Sequence, residues 1–203
     1  ASATVTVNRG LLLDKTVDKD NSDYEKGIIA WLIRYNYSKD HISADDAELT
    51  DVFGTGSELV PNSLQVFKGT GPELLPDTEY TVTLTVDGFV LKFNSDVDSP
   101  YTIKYKTRLK ERVIGQVNVT NKVWAKTGES DRKTVTLNDK IVIKDNAKNA
   151  NYKDKTTEWK ITLNADAKPD GTKYTMEHVV VEDTFTNGGL EFLPGTLVIT
   201  SGS

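Results

Sequence analysis

Apolar residues alternate with polar ones along most of this 203-residue chain. The clearest segments are rich in β-branched and aromatic residues and are bounded by turn formers; they cover residues 4–7, 28–35, 80–86, 101–105 and 117–120. Successive side chains of a β-strand point to opposite faces, so this pattern turns one face of each strand towards a core. No long stretch has the spacing of an amphipathic helix, although short helical turns fit residues 43–48 and the region of Lys148. The sequence predicts an all-β protein, an antiparallel β-sandwich.

Composition and charge exclude several classes of protein. The chain has no cysteine, so no disulfide bond stabilises it. Acidic residues outnumber Lys and Arg by 30 to 25, and the cations are scattered among the acids, which leaves no basic stripe for nucleic acid. No apolar run reaches the roughly 18 residues of a membrane-spanning helix, and residues 1–4 do not resemble a signal peptide. We therefore expect neither nucleic-acid binding nor membrane insertion.

Several short motifs occur twice in the same order along the chain. The matched pairs are 4–8 with 134–138, 11–15 with 141–144, 31–36 with 159–164, 49–53 with 181–185, and 59–66 with 192–198. Repetition of this kind is typical of tandem modules that contact their neighbours. We interpret residues 8–126 as a complete sandwich module, residues 134–203 as the N-terminal half of a second, homologous module, and residues 1–7 as a strand carried over from upstream. Neighbouring repeat modules are therefore expected partners.

Three polar side chains fall on strand faces that are otherwise apolar. Lys15, Asp51 and Asn121 each have apolar residues two positions away on either side. An unpaired buried charge costs several kcal/mol, so side chains from the first, a middle and the last strand of one module are expected to meet. Taken singly, each is also explained as a hydrogen-bonded core residue or as a residue at a strand edge, and a β-bulge would reverse its face.

Together, these three side chains permit a specific reaction. Burial favours the neutral amine of a lysine and the protonated form of an aspartic acid. The Lys15 amine can then attack the carboxamide carbon of Asn121 while Asp51 polarises the carbonyl and moves protons. Ammonia leaves, and a Lys–Asn isopeptide bond remains in the place of a disulfide.

The second module repeats part of this set. Asp183 lies on an apolar face as the counterpart of the catalytic acid, and Lys144 is the counterpart amine, offset by one residue in the repeat. Its acceptor asparagine is expected beyond Ser203, so the second bond is not expected to form within these residues. In the first module Asn118 is a rival acceptor, but alternation places it on the opposite face from Asn121.

Other motifs are weaker. Residues 18–23 begin like a calcium-binding loop but lack its later Gly and Glu, so they predict a solvated acidic turn. His41 and His178 have no Cys or His cluster for zinc, and residues 54–56 precede no helix that would bind phosphate. No Ser–His–Asp or Cys–His set is evident. We expect no metal, no cofactor and no enzymatic activity other than autocatalytic cross-linking.

Blocks along the first module resemble a known family. They cover residues 15–17, 29–36, 49–51, 101–107 and 121–124. In this order they look like the collagen-binding-adhesin A-type (CnaA-like) immunoglobulin-fold domains of Gram-positive surface proteins, and the resemblance extends into the second module. It implies tandem immunoglobulin-like antiparallel β-sandwiches in an extracellular, cell-wall-anchored adhesin or pilin. It also implies the roles of amine for Lys15, catalytic acid for Asp51 and acceptor for Asn121.

Two functions fit such a module. Repeats that contact only their neighbours act as spacers, so the tandem similarity favours a structural stalk that displays a binding domain elsewhere. The alternative is a region that binds a host extracellular-matrix protein of the collagen or fibrinogen type, for which an exposed strand edge or a groove between sandwiches suffices. A secreted enzyme is a third class, and the missing catalytic set argues against it.

Overall fold

The computed structural model describes residues 10–145, 148–186 and 188–201. The predicted upstream strand, residues 1–7, lies outside the described residues. Within the described ranges the chain forms fourteen strands and one short 3₁₀ turn at Tyr24–Lys26. The strands are β1 Leu13–Asp23, β2 Ile28–Tyr35, β3 Glu48–Val52, β4 Ser57–Leu59, β5 Gln65–Lys68, β6 Tyr80–Leu84, β7 Gly88–Phe93, β8 Tyr101–Leu109, β9 Gln116–Ala125, β10 Ser130–Asn138, β11 Val142–Lys144, β12 Lys148–Asn151, β13 Thr156–Glu158 and β14 Ile161–Leu163.

Strands β1 to β10 form two antiparallel sheets that face each other. One sheet has the order β1-β2-β8-β4, with β5 also pairing with β8, and the other has the order β10-β9-β3-β7-β6. Apolar side chains from the two inner faces fill the space between the sheets, as in any β-sandwich. The predicted all-β sandwich is confirmed. A short hydrogen-bonded turn is present within residues 43–48, where the backbone N–H groups of Asp46 and Ala47 both donate to Ser43 O at 2.9 Å. Lys148, near which another helical turn was expected, begins β12 instead.

Aromatic rings and one glycine shape the core beside Asp51. The Tyr105 ring packs edge-on against Phe89 with ring centroids 5.1 Å apart, and Phe53 lies 6.1 Å from the Tyr105 ring. Gly88 is paired with Val52, and a Cβ atom added to it would lie 1.8 Å from the carbonyl oxygen of Asp51. Only glycine allows β7 to approach β3 this closely, so Gly88 helps to set the position of Asp51.

Strand β10 extends the second sheet beyond residue 126, the predicted end of the first module. It pairs with β9 over its whole length, from Ser130 opposite Trp124 to Asn138 opposite Gln116. Leu137 is buried in the core, and the backbone N–H of Lys15 donates to Asp131 Oδ2 at 2.8 Å. Residues 130–138 therefore complete the edge of the second sheet of the first sandwich. The division of the chain into two homologous modules stays a prediction.

Residues beyond β10 form two small antiparallel sheets. Strand β11 pairs with β14, and β12 pairs with β13. No strand lies within residues 164–186 or 188–201, and apolar side chains there, including Val180 and Ile199, face solvent. A tandem second sandwich is thus present only in part among the described residues.

Arg112, in the loop between β8 and β9, holds this second region against the first sandwich. Its guanidinium group donates to both carboxylate oxygens of Asp166, at 2.7 and 2.6 Å, and to Asn164 Oδ1 at 2.9 Å. The same group lies 4.5 Å from the ring centroid of Tyr174. Bidentate pairing with a buried carboxylate is geometrically specific, so Arg112 fixes where the chain beyond β14 starts.

Candidate cross-linking site

The three predicted site residues lie on the inner faces of three strands. Lys15 is on β1 of one sheet, and Asp51 on β3 and Asn121 on β9 belong to the facing sheet. All three are fully buried. Strands β3 and β9 are paired neighbours, with Asp51 opposite Val123, so the carboxyl and carboxamide groups come from adjacent strands and the amine approaches from across the sandwich.

A lysine–aspartate contact forms the centre of the site. Lys15 Nζ donates to Asp51 Oδ2 at 2.5 Å and also to the hydroxyl group of Tyr105. Asn121 Nδ2 donates to the same hydroxyl group at 3.0 Å. The Lys15 ammonium lies 5.3 Å from the ring centroid of Trp31 and 5.0 Å from that of Tyr105. Tyr105 thereby bridges the amine and the carboxamide, and the two rings shield the amine from water.

Two acceptor atoms at this site lack a donor. Asp51 Oδ1 and Asn121 Oδ1 are buried and accept no hydrogen bond from the protein. A buried acceptor without a partner costs about 1–3 kcal/mol. An ionised carboxylate cannot donate, but a protonated one can. A proton on Asp51 Oδ1 would change that atom from an acceptor without a partner into a donor.

Burial also shifts the protonation equilibria of the site. It lowers the pKa of Lys15, although the neighbouring Asp51 charge acts in the opposite direction. Burial raises the pKa of Asp51 in spite of Lys15, and it raises the pKa of Tyr105 well above its ordinary value, with the Asp51 charge adding to the effect. Desolvation therefore favours a neutral amine next to a neutral acid, the pair that nucleophilic attack on an amide needs.

The counterpart residues of the second region also meet. Lys144 Nζ lies 2.5 Å from Asp183 Oδ1, and it lies 4.8 Å from the ring centroid of Trp159 and 5.7 Å from that of Phe185. The Lys144 and Asp183 side chains are 35% and 31% exposed, whereas those of Lys15 and Asp51 are 0% exposed. Aromatic rings therefore flank Lys144 as they flank Lys15, but the Lys144–Asp183 pair is partly exposed to solvent.

Comparison with known proteins identifies the family. A family model described as "Collagen binding domain" matches residues 12–140. The chain belongs to the collagen-binding domain family. The predicted resemblance to Gram-positive adhesin and pilin domains is confirmed, and this family is not enzymatic. The matched range starts just before β1 and ends just after β10, so it covers the first sandwich including β10.

Solved structures related to this collagen-binding domain are distant. The pilus backbone RrgB of Streptococcus pneumoniae is 16% identical with a TM-score of 0.40, covering 56% of this chain and 50% of that chain. The collagen-binding subdomain of the Enterococcus faecalis surface protein ACE is 14% identical with a TM-score of 0.44, covering 63% and 95%. The collagen-binding domain of a Staphylococcus aureus adhesin is 13% identical with a TM-score of 0.44, covering 64% and 99%. No curated protein sequence matches.

Two other predictions from strand alternation have different outcomes. Asn118 is exposed on the outer face of the collagen-binding domain, where its Oδ1 accepts from Thr136 Oγ1 at 2.7 Å, as its position in β9 requires. Alternation counted back from Lys15 would place Leu11 on the same buried face, but Leu11 is 66% exposed. It precedes β1, which begins at Leu13, so strand geometry does not apply to it.

Sequence reasoning assigned no role to Tyr105. This residue shares the inner face of β8 with Tyr101 and Ile103, and it pairs with Trp31 on β2. The hydroxyl group of a buried tyrosine usually has a hydrogen-bond partner, and this tendency is the signal that points to Tyr105. Which groups contact the Tyr105 hydroxyl group depends on which strands face each other across the sandwich, and that is not visible in the sequence.

The weaker motifs do not form sites in the described part of the chain. Residues 18–23 are the end of β1, where Asp18 accepts from the backbone and side chain of Asn21, instead of the predicted turn. His41 Nδ1 lies 2.6 Å from Asp98 on the surface. No group of three or more His, Asp or Glu side chains among the described residues is placed to hold a metal ion. Nor does any helix there have the length and hydrophobicity to cross a membrane.

Proposed function

We propose that residues 12–140 are a structural and adhesive module of an extracellular, cell-wall-anchored bacterial surface protein, stabilised by an isopeptide bond between Lys15 and Asn121. The observation that carries this proposal is the contact of Lys15 Nζ with Asp51 at 2.5 Å inside a fully buried cluster that also holds Asn121. A buried ion pair alone adds little to stability, because desolvation offsets the attraction. A covalent bond between Lys15 and Asn121 would explain why these polar residues occupy the core.

The reaction follows from the contacts. An ammonium proton of Lys15 passes to Asp51, and the neutral Nζ attacks Cγ of Asn121. The protonated Asp51 donates to Asn121 Oδ1, the acceptor that lacks a partner, and so stabilises the tetrahedral intermediate. The Cγ–Nδ2 bond then breaks, and a second Nζ proton moves through Asp51 to the leaving nitrogen. One amide forms, one ammonia leaves, and Asp51 ends protonated.

Tyr105 positions both reacting groups in this scheme. Its hydroxyl group contacts Lys15 Nζ and accepts from Asn121 Nδ2 at 3.0 Å, so it holds the nucleophile and the leaving nitrogen at once. With its pKa raised well above the usual range by burial, Tyr105 stays protonated at neutral pH. It acts as a hydrogen-bonding group rather than as a base.

The intact mass of the folded protein tests the bond. We expect a mass one ammonia below that of the sequence, and the full mass in Lys15→Ala, Asp51→Ala and Asn121→Ala. Asn118→Ala is the matched control, because Asn118 lies on the same strand but faces outwards; its protein should still lose one ammonia. A full mass in the unmodified protein, or a full mass only in Asn118→Ala, would contradict the proposed bond.

A second candidate function is binding of a host collagen. The family match to a collagen-binding domain favours it, and supports a host-ligand role more directly than a pure stalk role. Surface plasmon resonance against immobilised collagen, with fibrinogen and another matrix protein as comparisons, tests this function. Saturable binding to collagen is expected. Absence of binding to all these proteins would leave the stalk as the function.

A further inference from the structure

Lys15 lies on a strand at the edge of its sheet. Strand β1 comes first in the order β1-β2-β8-β4, so among the described strands only β2 pairs with it. Leu13 is opposite Tyr35 in this pairing, and the backbone N–H of Asn36 donates to the carbonyl oxygen of Leu12. Backbone groups of antiparallel strands point alternately towards and away from the partner strand, so the N–H of Lys15 points away from β2. This donor needs a partner from outside its own sheet.

Asp131 on β10 supplies that partner from the other sheet. Its Oδ2 atom accepts the backbone N–H of Lys15 at 2.8 Å. Strand β10 is also an edge strand, since it comes first in the order β10-β9-β3-β7-β6, and it contacts β1. The hydrogen bond therefore joins the edge strands of the two sheets on one side of the sandwich.

Strand β10 also holds the strand that carries the acceptor. Lys133 of β10 is opposite Asn121 of β9, and Asp131 is opposite Val123. The same strand thus pairs with β9 beside Asn121 and binds the backbone of Lys15 through Asp131. A displacement of about 1 Å can slow a reaction between positioned groups by about a hundredfold. The placement of β1 and β9 by β10 is therefore expected to set how well the amine reaches the carboxamide.

Asp131 is suited to hold a backbone N–H. Partial burial acts to raise its pKa, but hydrogen bonds from the Lys15 backbone and from Lys133 outweigh that effect and lower it. The carboxylate therefore stays ionised at neutral pH, and a hydrogen bond to an ionised acceptor is stronger than a neutral one. Asp131 contacts the backbone of Lys15, whereas Asp51 contacts the amine. The two carboxylates hold the same lysine at different points.

We propose that Asp131 is a positioning residue for the cross-linking of Lys15 with Asn121, acting through its hydrogen bond to the Lys15 backbone. It fixes β1 against β10, so the amine reaches the carboxamide only after β10 has docked. This inference rests on the proposed bond between Lys15 and Asn121. It extends the part of the chain that the reaction needs beyond residue 126, to a strand that follows the acceptor.

The rate of ammonia loss after cell-free synthesis, followed by intact mass, tests this role. Asp131→Val removes the acceptor but keeps a strand-forming side chain of similar size. In folded protein we expect it to form the bond at least about tenfold more slowly. Asp131→Asn keeps an acceptor oxygen without the charge and should restore the rate. Asp14→Ala is the matched control, because it removes a carboxylate next to Lys15 that pairs with Arg34 instead, and its rate should be unchanged.

Amide hydrogen exchange gives a second readout that does not need the bond. It is measured by NMR in Asn121→Ala protein, which has no acceptor. The Lys15 amide should be protected there, and adding Asp131→Val should speed its exchange at least about tenfold, because the hydrogen bond is lost. The Thr16 amide points towards β2 by the same alternation and should keep its protection in both proteins.

The outcomes separate this inference from the proposed function. A full mass in the unmodified protein would contradict the bond itself, whereas an unchanged rate in Asp131→Val would overturn only the positioning role. Unchanged exchange of the Lys15 amide in the Asp131→Val protein would overturn it as well. So would equal slowing in Asp131→Asn or Asp14→Ala, because loss of charge would then explain the effect. If Asp131→Val does not fold, Asp131→Ala takes its place with the same expectations. Slow bond formation and fast Lys15 exchange in the Val variant, with a normal rate in the other two, support the role.

Discussion

The two lysine–aspartate pairs of this chain differ mainly in what covers them. Both have a 2.5 Å contact and an aromatic wall. The Lys15–Asp51 pair lies between two five-stranded sheets with its side chains fully buried, whereas no sheet among the described residues covers the partly exposed Lys144–Asp183 pair. Charged groups that are close but hydrated make an ordinary surface ion pair. The same groups without water become an amine and an acid that can react with an amide.

This difference shows what the sandwich contributes to the chemistry. The lysine, the aspartate and the aromatic residues belong to the short repeated motifs, so both regions of the chain contain them. Desolvation, the carboxamide and the Tyr105 hydroxyl group come from strands β8 and β9, which follow much later in the chain. Under the proposed chemistry, a reactive site forms only where the later strands have closed the sandwich. Cross-linking would follow folding of the module rather than precede it.

The largest expected effect is on the stability of the first sandwich. Asn121→Ala removes the acceptor, and a cross-link that closes a loop of about 100 residues contributes roughly 4.7 kcal/mol in the chain-entropy model. We expect denaturant unfolding to show a loss of that order. Asn118→Ala, on the outer face of the same strand, should change the free energy of unfolding by less than about 0.5 kcal/mol. Equal losses in the two variants would remove the distinction between a cross-linked core and an ordinary one.

A smaller effect is expected from the bridging hydroxyl group of Tyr105, which has no counterpart beside Lys144 among the described residues. Tyr105→Phe keeps the ring but removes the group that contacts Lys15 and Asn121. A lost buried hydrogen bond costs about 1–3 kcal/mol, and 1.36 kcal/mol at the transition state slows a reaction about tenfold. We expect the cross-linked fraction, followed by mass after synthesis, to rise at least about tenfold more slowly.

Tyr35→Phe is the control for this experiment. The Tyr35 hydroxyl group is also buried, but it has no hydrogen-bond partner, and its ring stacks on Phe93 away from Lys15. Its removal should leave the rate of cross-linking unchanged. If both tyrosine variants slow the reaction equally, general loosening of the core explains the effect and Tyr105 has no positioning role.

Strand alternation could place Lys15, Asp51 and Asn121 on inner faces because each side-chain direction depends only on residues two positions away. The same local rule could not place Tyr105, whose contacts depend on the pairing of β8 with β2 and on the packing of the two sheets. It also could not assign β10, because an alternating strand fits either the sandwich before it or the one after it. Pairing with β9 decides that question, and pairing is a long-range property.

The smallest expected effect concerns the open pair itself. Lys144→Ala removes a contact between two partly exposed side chains, and such pairs contribute about 0.2–1 kcal/mol. A double-mutant cycle of Lys144→Ala with Asp183→Ala, measured by denaturant unfolding, should give a coupling energy in that range that falls as salt is added. The intact mass of the protein should change only by the substitution itself. A coupling of several kcal/mol, insensitive to salt, would mean that this pair is buried in solution. The difference in solvent coverage between the two sites would then be wrong.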